Sequence, residues 1–95
     1  MPIAMMFNNP NVTSEQYDAV REKLNVSDNP PEGSILHIAG PGPGGGWRVI
    51  EVWESKEAAE KFAQERLKPL FDELGMGERP APEVWQVHNV MTRAT

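Results

Sequence analysis

Gly46-Trp47-Arg48-Val49-Ile50-Glu51-Val52-Trp53-Glu54-Ser55 is the stretch on which the fold turns. It reads as a strand that runs straight into a capped helix. Strand side chains alternate between faces, so Trp47, Val49, Glu51 and Trp53 share one side and Arg48, Ile50, Val52 and Glu54 the other. One face thus carries a carboxylate between tryptophans, the make-up of a pocket wall. The other carries aliphatics suited to a flat partner. Ser55 is a good N-cap, and Ala58, Ala59, Phe62, Ala63 and Leu67 form the apolar stripe of the helix that follows.

Working outward, Pro69 lacks the amide hydrogen a helix interior needs, so a kink or a new turn is expected there. Leu70, Phe71 and Leu74 continue the apolar surface, and Gly75 is a C-terminal stop. Glu78 to Pro82 reads as loop and Glu83 to Met91 as the last strand. On the other side, Ser34 to Ala39 is a strand joined to Trp47 by Gly40-Pro41-Gly42-Pro43-Gly44-Gly45-Gly46. With that loop centred on Pro43, Ala39 opposes Trp47, His37 opposes Val49 and Ile35 opposes Glu51. His37 then lies diagonal to Glu51 on the same face. A slip of one residue turns it to the opposite face. Ile3 to Phe7 is a short apolar strand, and Thr13-Ser14-Glu15-Gln16 is a capping box. The helix after it carries Tyr17, Val20 and Leu24 on one stripe, and Asn25 to Gly33, with Pro30-Pro31, is loop.

The order is β-α-β-β-α-β, an α+β fold of ferredoxin-like type across residues 1–95 as a single domain. It implies a four-stranded antiparallel sheet with both helices on one face. The opposite face gathers Ile50 and Val52, with Met6, Leu36 or Ile38 from neighbouring strands. An apolar sheet face of that kind usually marks an interface, and packing two sheets together covers it. A homodimer through the open face is expected.

Composition removes several function classes. A net charge of −5 is opposite to a nucleic-acid footprint. No stretch approaches the roughly 20 apolar residues of a membrane span, and the start of the chain lacks the basic residues of a signal peptide. Without cysteine there is no disulfide, thiolate nucleophile or thiolate metal site. A cytoplasmic location is the default. Gly40-Pro41-Gly42-Pro43-Gly44-Gly45 spells a dinucleotide fingerprint, but a strand follows it where a helix must begin, and its prolines remove amide donors. Two histidines without helical i, i+4 spacing argue against a metal site.

Val49-Ile50-Glu51-Val52-Trp53-Glu54-Ser55 before an Ala/Glu-rich helix, together with the element order, resembles the dimeric α+β barrel superfamily and its antibiotic-biosynthesis-monooxygenase-like branch. The resemblance implies a small-molecule cleft between helices and sheet, needing no cofactor in the oxygenase members. Trp53 matches the tryptophan that ends the third strand of oxygenase and haem-degrading members. The haem-degrading members hold iron through a histidine on the second helix, and Lys56 to Leu74 contains none. Trp47 stands where the small cyclases place a histidine.

The candidate site follows from these faces. His37 and Glu51 are the candidate catalytic pair, since a carboxylate can orient an imidazole and tune it as a base. The plain alternative for His37 is a structural histidine within the sheet. Burial raises the pKa of a carboxyl such as Glu51 unless it is paired, which leaves a proton acceptor, a ligand anchor, or an ion pair to a helix cation such as Arg66. Trp47, Val49, Trp53, Met5 and Phe62 supply apolar walls for an aromatic or polyketide-like ligand. Tyr17 packs in the first helix's stripe with a hydroxyl able to reach the cleft. His88, in phase with Val84, Gln86 and Val90, is a lesser candidate for the cleft or the dimer seam. The expected activity is cofactor-free monooxygenation or a related tailoring step. The alternatives are a non-catalytic hydrophobic-ligand binder or structural dimer, and an oxygen-independent cyclase or isomerase.

Overall fold

The computed structural model describes residues 1–93. Its elements are β1 (Ile3–Asn9), α1 (Ser14–Leu24), β2 (Ser34–Pro41), β3 (Trp47–Trp53), α2 (Lys56–Phe62), a π-helical turn (Ala63–Leu67), α3 (Lys68–Leu74) and β4 (Glu83–Gln86). The strands form one sheet in the order β2-β3-β1-β4, antiparallel at every pairing. This is the ferredoxin-like arrangement read from the element order. Among the described residues no helix is long and apolar enough to cross a membrane.

Local chemistry sets the helix ends. Thr13 accepts from the Gln16 amide while the Gln16 side chain accepts from the Thr13 amide, closing the capping box. Ser55 accepts from Ala58 N at 3.1 Å and fixes the sharp exit from β3. Helix α1 stops at Asn25, and α3 at Gly75, each in the left-handed region. Between α2 and α3 the backbone widens into the π-helical turn. Pro69 offers no hydrogen to the carbonyl four residues back, so the ladder shifts register ahead of it. The sequence predicts a kink here, and the structure resolves it as this turn.

Two apolar clusters hold the helices to the sheet. Ile3, Trp53 and Ala59 form one, with Met5 and Ala58 packed against it. Val20, Leu67 and Leu70 form the other, with Leu24, Phe71 and Leu74 against it. Phe62 touches both clusters. The core is therefore split, and a space remains between its halves.

Two sequence-based expectations change. The β2–β3 hairpin closes around Gly44 instead of Pro43, so Ala39 pairs with Val49 and His37 with Glu51. Gly44, Gly45 and Gly46 all take positive φ and absorb the reversal, which lets β2 run on to Pro41. At Gly46 a Cβ would fall 2.8 Å from Pro10 Cα, so the close pass beside β1 also requires glycine. The shift is by two residues and so leaves His37 on its expected face. Strand β4 is only Glu83–Gln86, not Glu83 to Met91. Among the described residues it pairs with β1 alone, and a further bond runs from Val87 N to the carbonyl of Pro2, which cannot donate in return. His88 therefore lies past the strand, exposed, in a bend.

Cross-strand pairing organises the helix-free face into two rows. Leu36, Val52, Ala4 and Trp85 form one row, and Ile38, Ile50, Met6 and Glu83 the other. Ile38 and Trp85 are about half exposed, at 51% and 47%.

Candidate functional site

The space between the core halves is a cavity of about 310 Å3, roughly ten liquid-water volumes. Its floor is the helix-covered face of β3, where Trp47, Val49, Glu51 and Trp53 all line it. Its roof comes from α1 through Tyr17, Val20, Arg21 and Leu24, the i, i+3, i+4, i+7 face of a helix. Phe62, Leu67 and Phe71 close the side. Met5, expected in the wall, packs instead against the Ile3, Trp53 and Ala59 cluster and is not part of the lining. His88 is also outside it.

Polar groups converge on Glu51, which is 6% exposed. Trp53 Nε1–H donates to Glu51 Oε1 at 2.9 Å. These two residues are two apart on one strand face, so the alternation itself aims the indole at the carboxylate. His37, directly across the β2–β3 ladder, places Nδ1 3.6 Å from Oε2. That is an ionic-range contact and long for a hydrogen bond. On its other side His37 Nε2 lies 2.6 Å from the Tyr17 hydroxyl. With Nδ1–H turned to the carboxylate, Nε2 is the acceptor and Tyr17 O–H the donor, an assignment that follows from the partners. The Tyr17 ring stacks on His37 with centroids 6.0 Å apart and leans on Trp47 at 5.3 Å. Three elements thus build one array: Tyr17 on α1, His37 on β2, Glu51 on β3.

The cation facing Glu51 is Arg79, with Nη1 3.9 Å from Oε2. Arg66 is engaged elsewhere. It donates to the carbonyls of Leu24 and Asn29, holding the end of α1 and the loop after it. Arg79 stands 4.1 Å over the Phe7 ring, a cation–π arrangement. The sequence held no pattern that singles it out, because it sits in the non-periodic loop after α3. Asn9, also buried, is used structurally and donates to the carbonyl of Trp47 at 3.1 Å.

These contacts reverse the expected pKa shift of Glu51. Burial pushes its carboxyl up, but the contacts from His37 and Trp53 and the charge of Arg79 outweigh burial and hold it below the ordinary value. A lowered native pKa contributes stability above the ordinary value of 4.5, and that stability is lost as pH falls through the native value. The difference in thermal midpoint between wild type and Glu51→Gln should therefore be largest near neutrality and close below the ordinary value. Melts across the acid range check this, and a gap that persists in acid would contradict it.

Chemically the array can move a proton. An ionised carboxylate orients an imidazole whose far nitrogen contacts a phenol at the cavity wall. Among the described residues no group of three His, Asp or Glu side chains gathers that could hold a metal ion.

No protein-family model matches this sequence. No curated protein matches it either. Solved structures do. A conserved protein from Methanosarcina mazei Go1 matches with a TM-score of 0.66 and 15% identity, over 90% of this chain and 92% of that one. The cofactor-independent oxygenase SnoaB from Streptomyces nogalater, as a mutant, matches with a TM-score of 0.59 and 13% identity, over 95% and 94%. A proposed antibiotic biosynthesis monooxygenase from Deinococcus radiodurans gives 0.57 and 14%, over 97% of both chains. At such identities the likeness is one of fold.

Proposed function

We propose that this protein is a cytoplasmic homodimer that removes a proton from an aromatic or polyketide-like ligand in its cavity and lets the resulting carbanion react with oxygen, without a cofactor. The observation that carries this reading is the Tyr17–His37–Glu51 array set in a cavity lined mainly by apolar and aromatic side chains. The fold shared with SnoaB, a cofactor-independent oxygenase, supports it. In this mechanism His37 Nε2 is the base, reached directly or through the Tyr17 hydroxyl. Glu51 stabilises the imidazolium that forms, and Trp53 keeps Glu51 from turning away. The aromatic walls exclude water, which strengthens each of these interactions.

The ligand needs a C–H acidified by a carbonyl and aromatic rings. Anthrone is a simple probe with that chemistry. Loss of one benzylic proton gives the anthrolate, which passes an electron to oxygen and forms a C–O bond as the hydroperoxide. Loss of water then leaves the quinone, so one oxygen atom becomes the new carbonyl and the other departs with both benzylic hydrogens. Wild type should accelerate oxygen uptake with anthrone above the buffer rate. His37→Ala and Glu51→Gln should reduce the enzymatic part by roughly 100-fold or more, the range of general acid–base catalysis. Equal rates in all three proteins would sink the catalytic reading and leave a binding protein.

The second copy is assigned to the sheet face bearing Leu36, Ile38, Ile50, Val52 and Trp85. The apolar parts of its two rows meet their own symmetry mates in a two-fold sheet-on-sheet contact, with Glu83 at the β4 edge of one row.

A further inference from the structure

We infer that the cavity selects an anionic ligand, an apolar aromatic acid whose carboxylate or equivalent anion pairs with Arg79 while Arg21 draws it in at the mouth. This rests on the cavity being a small-molecule site and adds the class of molecule. The observation is an incompletely partnered cation. The Arg79 side chain is 22% exposed, and its one ionic contact, to Glu51 at 3.9 Å, is too long to be a hydrogen bond. Among the described residues its guanidinium makes no hydrogen bond to a protein atom. A guanidinium has five N–H donors in a planar fork, and those of Arg79 are not sealed off, since among the described residues only Trp47 Nε1 is both buried and unpartnered; they stay open to an incoming acceptor. The Phe7 face satisfies the charge from one side but accepts none of the in-plane hydrogens. A carboxylate or sulfonate matches that fork edge-on.

The charge of the lining points the same way. Two arginines, Arg21 and Arg79, face one carboxylate, Glu51, which leaves one positive charge in a chain of net −5. Arg21 is exposed and lies four residues beyond Tyr17, one turn along the same helix face. That places it at the rim, where an unpaired cation raises the local concentration of anions. Glu51 is also engaged by Trp53 and His37, and its 3.9 Å contact with Arg79 leaves the guanidinium's hydrogens free for a second anion.

A matched pair of probes tests this: 8-anilinonaphthalene-1-sulfonate and its neutral counterpart N-phenyl-1-naphthylamine, titrated by fluorescence at low salt. Wild type should bind the sulfonate roughly tenfold or more tighter than the neutral amine. Arg79→Met should bring the two affinities within about twofold of one another, and Arg79→Lys should keep part of the preference. Should Arg79→Met not fold, the double variant Glu51→Gln/Arg79→Met removes both charges and should show the same loss of preference. Equal affinities in wild type, or a preference that survives in a folded Arg79→Met, would overturn the anionic selectivity while the cavity stands. Failure of both probes to bind would remove the small-molecule site and this inference with it.

Discussion

Trp53→Ala is expected to destabilise the protein by about 3–5 kcal/mol, the range for truncating a large buried aromatic. Trp53 is 3% exposed and is one of the three buried residues in its core cluster, with Phe62 leaning on it at 5.4 Å. In a domain this small each kcal/mol shifts the melting midpoint by about 4–8 °C, so a fall of well over 10 °C should be seen. Part of that loss is not packing. The indole N–H holds Glu51 Oε1, and its removal leaves a buried carboxylate short of a donor. Trp53→Phe separates the two effects by keeping most of the ring, and should fall between wild type and alanine. Trp47 gives the contrast. Its Nε1 is buried with no partner among the described residues, so Trp47→Phe discards an unsatisfied donor along with some area. It should be milder than Trp53→Phe in calorimetry. The reverse order would mean that Glu51 is not held as described.

Ile38→Glu is expected to abolish the proposed dimer and leave a monomer with an intact fold. Ile38 stands at the outer end of a row with Ile50 and Met6, and it is 51% exposed in the single chain. That exposure makes the charge harmless to one chain on its own. In a two-fold interface every substitution appears twice, and two uncompensated carboxylates enter the contact. Burial of an unpaired charge costs several kcal/mol, enough to move the dissociation constant by more than about a hundredfold. Analytical ultracentrifugation reads the mass and circular dichroism the fold. A dimer that persists in Ile38→Glu would place the interface elsewhere.

The sequence made the fold legible because its signals are local and redundant. The alternation from Trp47 to Trp53 announces a half-buried strand, and the Thr13 and Ser55 caps mark where helices begin. The faces of β3 were readable for the same reason, so Glu51 and Trp53 could be assigned to one wall. The β2–β3 pairing was harder. It depends on how many of seven loop residues fold into the turn, and three glycines accept several answers. The resulting two-residue offset moved His37 from diagonal to directly opposite Glu51. Arg79 was beyond reach, because glycines at 75 and 77 and prolines at 80 and 82 leave no periodicity around it. Its role exists only once the loop after α3 folds back over Phe7. The Tyr17 hydroxyl is an intermediate case: the helix stripe gave its direction, and only the position of β2 gave it a partner.

Proton abstraction can be measured apart from the oxygen chemistry by incubating anthrone in deuterium oxide without oxygen and following loss of the benzylic proton signal by NMR. Wild type should speed exchange well above buffer, whereas Glu51→Gln and His37→Ala should not. Exchange no faster with wild type than in buffer alone would contradict proton abstraction in this cavity.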